Sequence, residues 1–195
     1  MFLITGCPRS GTGFISKVLS QLSLSVGHET YGDDGVVNCF FAVDTKLIQP
    51  WATDNLSVND YNFDCVLHQV RNPLDCISSC YFCLHEKSWK FFSNFIDFSS
   101  ENLLLKSMEL WYNWNLLCEK KAIYTYRVEN INFEIYKIMN LISKSENIKL
   151  NIDNVSTNTN SYGKHKKFTW EELYNCDKNL TDKIRNMAVK YGYKI

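Results

Sequence analysis

Thr5-Gly6-Cys7-Pro8-Arg9-Ser10-Gly11-Thr12-Gly13-Phe14 is the stretch on which the reading of this chain turns. Gly6 and Gly11 have the GxxxxG spacing of a loop that points its backbone N–H groups inward, and the helix that follows adds the partial positive charge of its N-terminus. An anion is the natural guest. A nucleotide-hydrolysing loop would continue Gly-Lys-Ser/Thr, with the lysine on the outer phosphates and the hydroxyl on magnesium. Here Gly11 is followed by Thr12-Gly13, and the cation stands earlier, at Arg9. An arginine inside the loop suits an anion neutralised without a metal. Six of the eight glycines fall within residues 1–35, so backbone freedom is concentrated where such a turn needs it.

The flanks fit that loop. Phe2 to Thr5 reads as a short buried strand, and Thr12 to Leu22 as a helix with Phe14, Ile15, Val18, Leu19 and Leu22 at helical spacing. Another strand is expected over Leu24–Val26 and a loop over Tyr31–Gly35, and residues 36–49 are ambiguous between helix and strand. Further on, strands are expected at Cys65–Val70 and Ala122–Tyr126, and helices at Leu74–Leu84, Glu101–Lys120 and Ile131–Ile142. Thr169, with Glu172 three residues on, has the pattern of a capping box opening one last helix, whose inner stripe is broken only by Asp177. Residues 144–167, rich in Asn, Ser and Lys, read as a long surface loop and the candidate lid. Strand, glycine loop, helix, then strands alternating with helices is the α/β pattern with a parallel sheet, whose ligands sit at the carboxyl ends of the strands.

The other informative stretch is His68-Gln69-Val70-Arg71-Asn72-Pro73, continuing through Leu74 to Ser79. It closes a strand and opens a helix with proline in the first turn. An arginine fork and a hydroxyl one to two turns into the following helix can converge on one phosphate. The chain has four arginines among 21 basic residues, and two of them, Arg9 and Arg71, fall in these two motifs.

Both stretches resemble the sulfotransferase superfamily, in particular its small bacterial or phage type. Residues 6–14 are similar to the family's 5′-phosphosulfate loop, Pro-(Arg/Lys)-Ser-Gly-Thr-(Thr/Ser): Pro8, Arg9, Ser10, Gly11 and Thr12 match in place, and Gly13 departs from the usual final hydroxyl residue. Residues 68–79 resemble its 3′-phosphate motif, an arginine and a serine eight residues later. The resemblance implies a P-loop-type three-layer fold, a central parallel sheet flanked by helices. It also implies 3′-phosphoadenosine 5′-phosphosulfate (PAPS) as sulfuryl donor, adenosine 3′,5′-bisphosphate (PAP) as product, and no metal. The donor site so implied comprises Cys7, Pro8, Arg9, Ser10, Gly11, Thr12, Gly13 and Phe14, with Arg71 and Ser79. Phe14 reads equally as an adenine platform and as a core residue.

Gly27-His28-Glu29, ahead of a Gly/Asp-rich turn, is similar to a segment of the bacterial enzymes. The resemblance favours Glu29 as general base, with His28 orienting it or binding the acceptor, an order that is reversed in other branches. Arg9 would stabilise charge on the leaving group. Asn115, in the Trp111–Asn115 segment, is a weaker candidate for the acceptor. Glu129 reads as structural, and the basic run Gly163–Lys167 as solvated charge.

The bulk composition bounds these readings. One domain over residues 1–195, with 45% hydrophobic and 22% charged residues, is expected. Zero formal net charge argues against a broad nucleic-acid footprint. The resemblance implies a small-molecule or carbohydrate acceptor as partner, and the sequence leaves carbohydrate, lipid, peptide and small alcohol open. No apolar run reaches the length of a membrane span and no leader pattern opens the chain, so a cytoplasmic, reducing location is expected. The eight cysteines include one CxxC, Cys80 and Cys83, with no further pair to complete a zinc site. Cys76, Cys80 and Cys83 read as small apolar residues on a helix. Two other functions share these features: a P-loop small-molecule kinase, disfavoured by the missing lysine, and a non-catalytic PAP-binding protein.

Overall fold

The computed structural model describes residues 1–44, 46, 50, 61–142 and 165–195. Most of the expected lid (144–167) therefore lies outside the described residues. Five strands form one sheet: β1 (Phe2–Thr5), β2 (Val26–His28), β3 (Gly35–Val37), β4 (Cys65–Val70) and β5 (Tyr124–Arg127). Their order is β2-β3-β1-β4-β5, and every neighbouring pair is parallel. Seven α-helices accompany them among the described residues: α1 (Thr12–Gln21), α2 (Pro73–Cys83), α3 (Glu86–Phe92), α4 (Leu103–Lys121), α5 (Ile131–Ile142), α6 (Trp170–Cys176) and α7 (Lys178–Lys190).

The sheet is covered on both faces, because side chains alternate along each strand. Phe2, Ile4 and Leu67 pack with Ile15, Val18 and Leu19 of α1 and Ile135, Ile138 and Met139 of α5. Leu3, Val36 and Val70 pack on the other face with Cys76 and Ile77 of α2, Trp111 and Trp114 of α4, and Ile184 of α7. The expected α/β class, with a parallel sheet flanked by helices, is the observed one.

Local chemistry sets the element ends, and it moves several of them from the sequence expectation. β2 begins at Val26 rather than Leu24. The N–H of Leu24 goes to the Leu19 carbonyl and that of Ser25 to the Asp34 carboxylate, so neither joins the ladder. β5 begins at Tyr124 because Ala122 caps α4, its N–H bonded to the Cys118 carbonyl. The Thr169–Glu172 capping box is formed, but the helix it opens ends at Cys176. Asp177 takes an extended conformation (φ −154°) and its carboxylate accepts from Leu180 N–H, capping a separate helix, α7. The break in the apolar stripe at Asp177 is a helix junction. β3 and α3 have no counterpart in the sequence expectation.

The segment 29–34 links two parallel neighbours, β2 and β3, without a helix. Such a short return works because each strand spans only three residues. It requires tight backbone: a Cβ on Gly27 would stand 2.0 Å from the Thr30 carbonyl oxygen, and Glu29 takes φ +57°.

Candidate functional site

A cleft of about 350 Å³ lies outside the carboxyl ends of β1 to β4. Pro8, Arg9, Gly11, Thr12, Gly13 and Phe14 form one wall, His28 and Glu29 another, Cys39 and Phe40 a third, and Arg71 enters from the end of β4. The far rim is the α2–α3 junction, Cys83, Leu84, His85 and Ser88. Apart from Cys83 and Leu84, which close α2, these positions follow strands or open helices, where the parallel sheet directs its loops.

The loop between β1 and α1 is held from behind. Gln69 Nε2 donates to the Ser10 carbonyl (2.9 Å), and Tyr126 Oη donates to Gln69 Oε1 (2.8 Å), so the loop rests on a buried polar prop from β4 and β5. Gly6 lies so close to β4 that a Cβ there would stand 2.2 Å from the Gln69 carbonyl oxygen. Gly11 caps α1 at φ +98°, a conformation glycine adopts without cost. Arg9 holds φ +68° and Glu29 +57°, two of the three non-glycine residues with positive φ among those described. Backbone strain of this kind concentrates at binding and catalytic sites. α1 has no acidic residue in its first turn, so its N-terminal N–H groups and dipole face the cleft uncompensated by the helix itself.

The two motifs meet directly. Arg9 Nε donates to Ser79 Oγ (3.0 Å), and Arg71 donates to the Arg9 carbonyl (3.0 Å). Ser79 is buried and lies beside the Arg9 side chain rather than on the cleft surface. Ser10 is also buried, and its Oγ has no hydrogen-bond partner among the described residues. Cys7 lies wholly beneath the loop. Asn72 caps α2 through its side chain, and its own N–H goes to Glu129 Oε1 (2.7 Å), whose other oxygen accepts from Tyr193 (2.9 Å). Glu129 thus braces the turn that carries Arg71.

On the opposite wall His28 Nε2 lies 3.2 Å from Thr12 Oγ1 and 4.0 Å from Glu29 Oε1. Burial, helped by the charges of Arg9 and Lys17, lowers the affinity of His28 for a proton below the ordinary histidine value. Burial also raises the Glu29 carboxyl above its ordinary value, opposed by the Cys39 thiol, 3.9 Å away, and by Arg9. A neutral imidazole and a carboxylate of enhanced basicity therefore stand side by side, facing two guanidinium groups.

Other candidates lie elsewhere. Asn115 is fully buried and does not line the cleft: it is taken by His68 (2.9 Å) and by the Trp111 carbonyl (2.8 Å). Trp111 and Trp114 are core residues. In the basic run, Gly163 and Lys164 lie outside the described residues, Lys166 pairs with Glu172, and Lys167 lies 2.5 Å from Asp75. Sequence reasoning missed Gln69 and the rim residues Cys39, Phe40, His85 and Ser88. Gln69 had one signal, an amide at a central strand position where an apolar residue is expected; the rim had none. A more open depression of about 500 Å³ beside β5 contains the Glu119–Lys190 ion pair and none of the residues that the motifs single out.

No protein-family model matches the chain, and no significant match is found among curated proteins or among solved structures. Function is therefore to be read from the residues of the cleft.

Proposed function

We propose that this chain is a PAPS-dependent sulfotransferase, moving a sulfuryl group to a hydroxyl or amine acceptor. The observation that carries the reading is the junction of the two phosphate motifs. Arg9 bonds Ser79 and is bonded by Arg71, so both guanidinium groups serve one cleft that His28 and Glu29 also line. The P-loop character of the fold belongs to the same proposal.

The residues present fit such a donor. Two arginines supply positive charge for phosphates, the first turn of α1 supplies N–H donors, and Ser10 Oγ, which has no partner among the described residues, supplies a further polar atom within the loop. The glycines at 6 and 11 leave room for backbone to approach closely. PAPS, when bound, supplies an activated sulfuryl group that the acceptor takes by in-line displacement, leaving PAP. Glu29 takes the acceptor proton, a role its raised basicity suits. His28, neutral and held near Thr12, orients the acceptor or the carboxylate. Arg9 and the loop N–H groups hold the negative charge that builds on the leaving phosphate.

Calorimetric titration with PAP, with magnesium-ATP as control and Arg71→Ala as a companion protein, tests the reading. Binding of PAP that is not matched by ATP and is lost in Arg71→Ala is the expected result. A preference for magnesium-ATP would turn the reading to a kinase, and absence of PAP binding would sink it.

A further inference from the structure

Beneath the floor of the cleft three thiols converge. Cys7 comes from the loop after β1, and Cys76 and Cys80 come from successive turns of α2. Their sulfur atoms lie within 4.8 Å of one another, and all three residues are fully buried. Cys76 and Cys80 both donate S–H to the Pro8 carbonyl oxygen, each at 3.3 Å.

We propose that Cys7, Cys76 and Cys80 form a binding site for a soft divalent metal ion of the zinc type, with the Pro8 carbonyl on the side of the fourth position. Thiolate sulfurs sharing one zinc at about 2.3 Å and tetrahedral angles stand roughly 3.8 Å apart. The observed spacing closes to that value with sulfur movements of under about 1 Å. A disulfide would use two of these thiols and leave the third without a role, whereas a metal uses all three. Three sulfur ligands select a soft ion over magnesium or calcium.

The surroundings suit the charge. Three thiolates and a dication carry one net negative charge, and the guanidinium groups of Arg9 and Arg71 both act electrostatically on Cys76. On binding, the thiols release their protons to the medium and the sulfurs bind the metal, with no change of oxidation state. The path inward is short: Pro8 lines the cleft with one side and faces the thiols with its carbonyl, so a local shift of the loop opens the site. The bound ion would clamp the loop to α2, the helix that carries Ser79, and so fix the two motifs relative to each other. None of this depends on the sulfotransferase reading.

Cobalt(II), then zinc, added to the full chain kept reduced by a phosphine, tests the site. One equivalent of cobalt giving a sulfur-to-metal charge-transfer band, abolished by zinc, is the expected result. X-ray absorption of the zinc-loaded wild-type chain should count three sulfur ligands. Cys80→Ser should weaken metal binding by at least about 100-fold, more than the loss of a merely supporting group causes, while Cys176→Ser on α6 leaves it unchanged. No charge-transfer band in the wild-type chain, two or fewer sulfurs at the zinc, or binding that Cys80→Ser leaves intact would each overturn the proposal. The sulfur count is read on the wild-type protein, so it stands even if Cys80→Ser fails to fold.

Discussion

Arg9 Nε donates to Ser79 Oγ across 3.0 Å, joining residues seventy positions apart. The serine that a sequence resemblance assigns to a phosphate therefore anchors the arginine of the other motif. Ser79→Ala removes a hydrogen bond to a charged group in a buried setting, a loss of about 1–3 kcal/mol. Urea unfolding should show a decrease in that range, and PAP binding should weaken by about tenfold as Arg9 loses its orientation. Unchanged stability together with unchanged binding would show that the contact does not position Arg9.

Gly6 is where the loop touches the sheet. A Cβ would meet the Gln69 carbonyl oxygen at 2.2 Å and Ser10 Oγ at 2.8 Å, and the first of these is backbone of a central strand. Gly6→Ala should cost on the order of 3 kcal/mol, the upper end for overpacking, because β4 cannot yield easily. Thermal unfolding measures the cost. A variant as stable as the wild type would mean that the loop can move away from β4 freely.

Glu29→Gln separates catalysis from binding. The amide keeps the shape of the side chain and cannot take a proton. Under the proposed function, PAP affinity stays within a few-fold while sulfuryl transfer falls by about 10²–10⁴-fold, the usual contribution of a general base. A variant with full activity would move the base to His28 or elsewhere.

His68 makes the fold sensitive to acid. Its ring is buried between Asn115 Oδ1 (2.9 Å) and Thr125 Oγ1 (3.2 Å), both nitrogens matched in the neutral form. Burial lowers its pKa from 6.5 to about 4, against weaker opposing contributions from Asn115 and Glu119. In the unfolded chain the ring takes its proton near pH 6.5, while the folded chain resists until about pH 4. Below pH 6.5 the unfolded state therefore binds more protons. The stability that His68 contributes is fully present above that pH and is lost on the way down to about pH 4, on the order of 3 kcal/mol in all. His68→Gln should flatten the pH dependence of the urea midpoint over that window. An equal slope in both proteins would show that His68 does not carry the effect.

Much of the architecture was legible because it is written in local chemistry. The apolar run of Phe2–Thr5, the strand of Cys65–Val70 ended by Arg71-Asn72-Pro73, proline in the first turn of α2, and the Thr169–Glu172 capping box each depend on neighbours within a few residues. The cleft positions at Arg9, Gly11, Thr12, His28, Glu29 and Arg71 each sit where a strand ends or a helix begins; the loop spacing singled out Arg9 and Gly11, and the family resemblance gave His28, Glu29 and Arg71 their roles. The helix junction at Asp177 escaped notice because a cap and a flaw in an apolar stripe are alike until the backbone angle is known.

By itself, then, the sequence determined the α/β class, the strand-loop-helix units and the ends of the sheet that carry the candidate residues. Those follow from side-chain period, capping and turn chemistry, which act along the chain. Only the tertiary structure decided that Ser79 belongs to Arg9, that Asn115 belongs to His68, that Gln69 props the loop, and that Cys7 meets Cys76 and Cys80. These partners are dozens of residues apart. They are chosen by which faces of β4, α2 and α4 the packed core brings together, a choice made by burial and not by spacing along the chain.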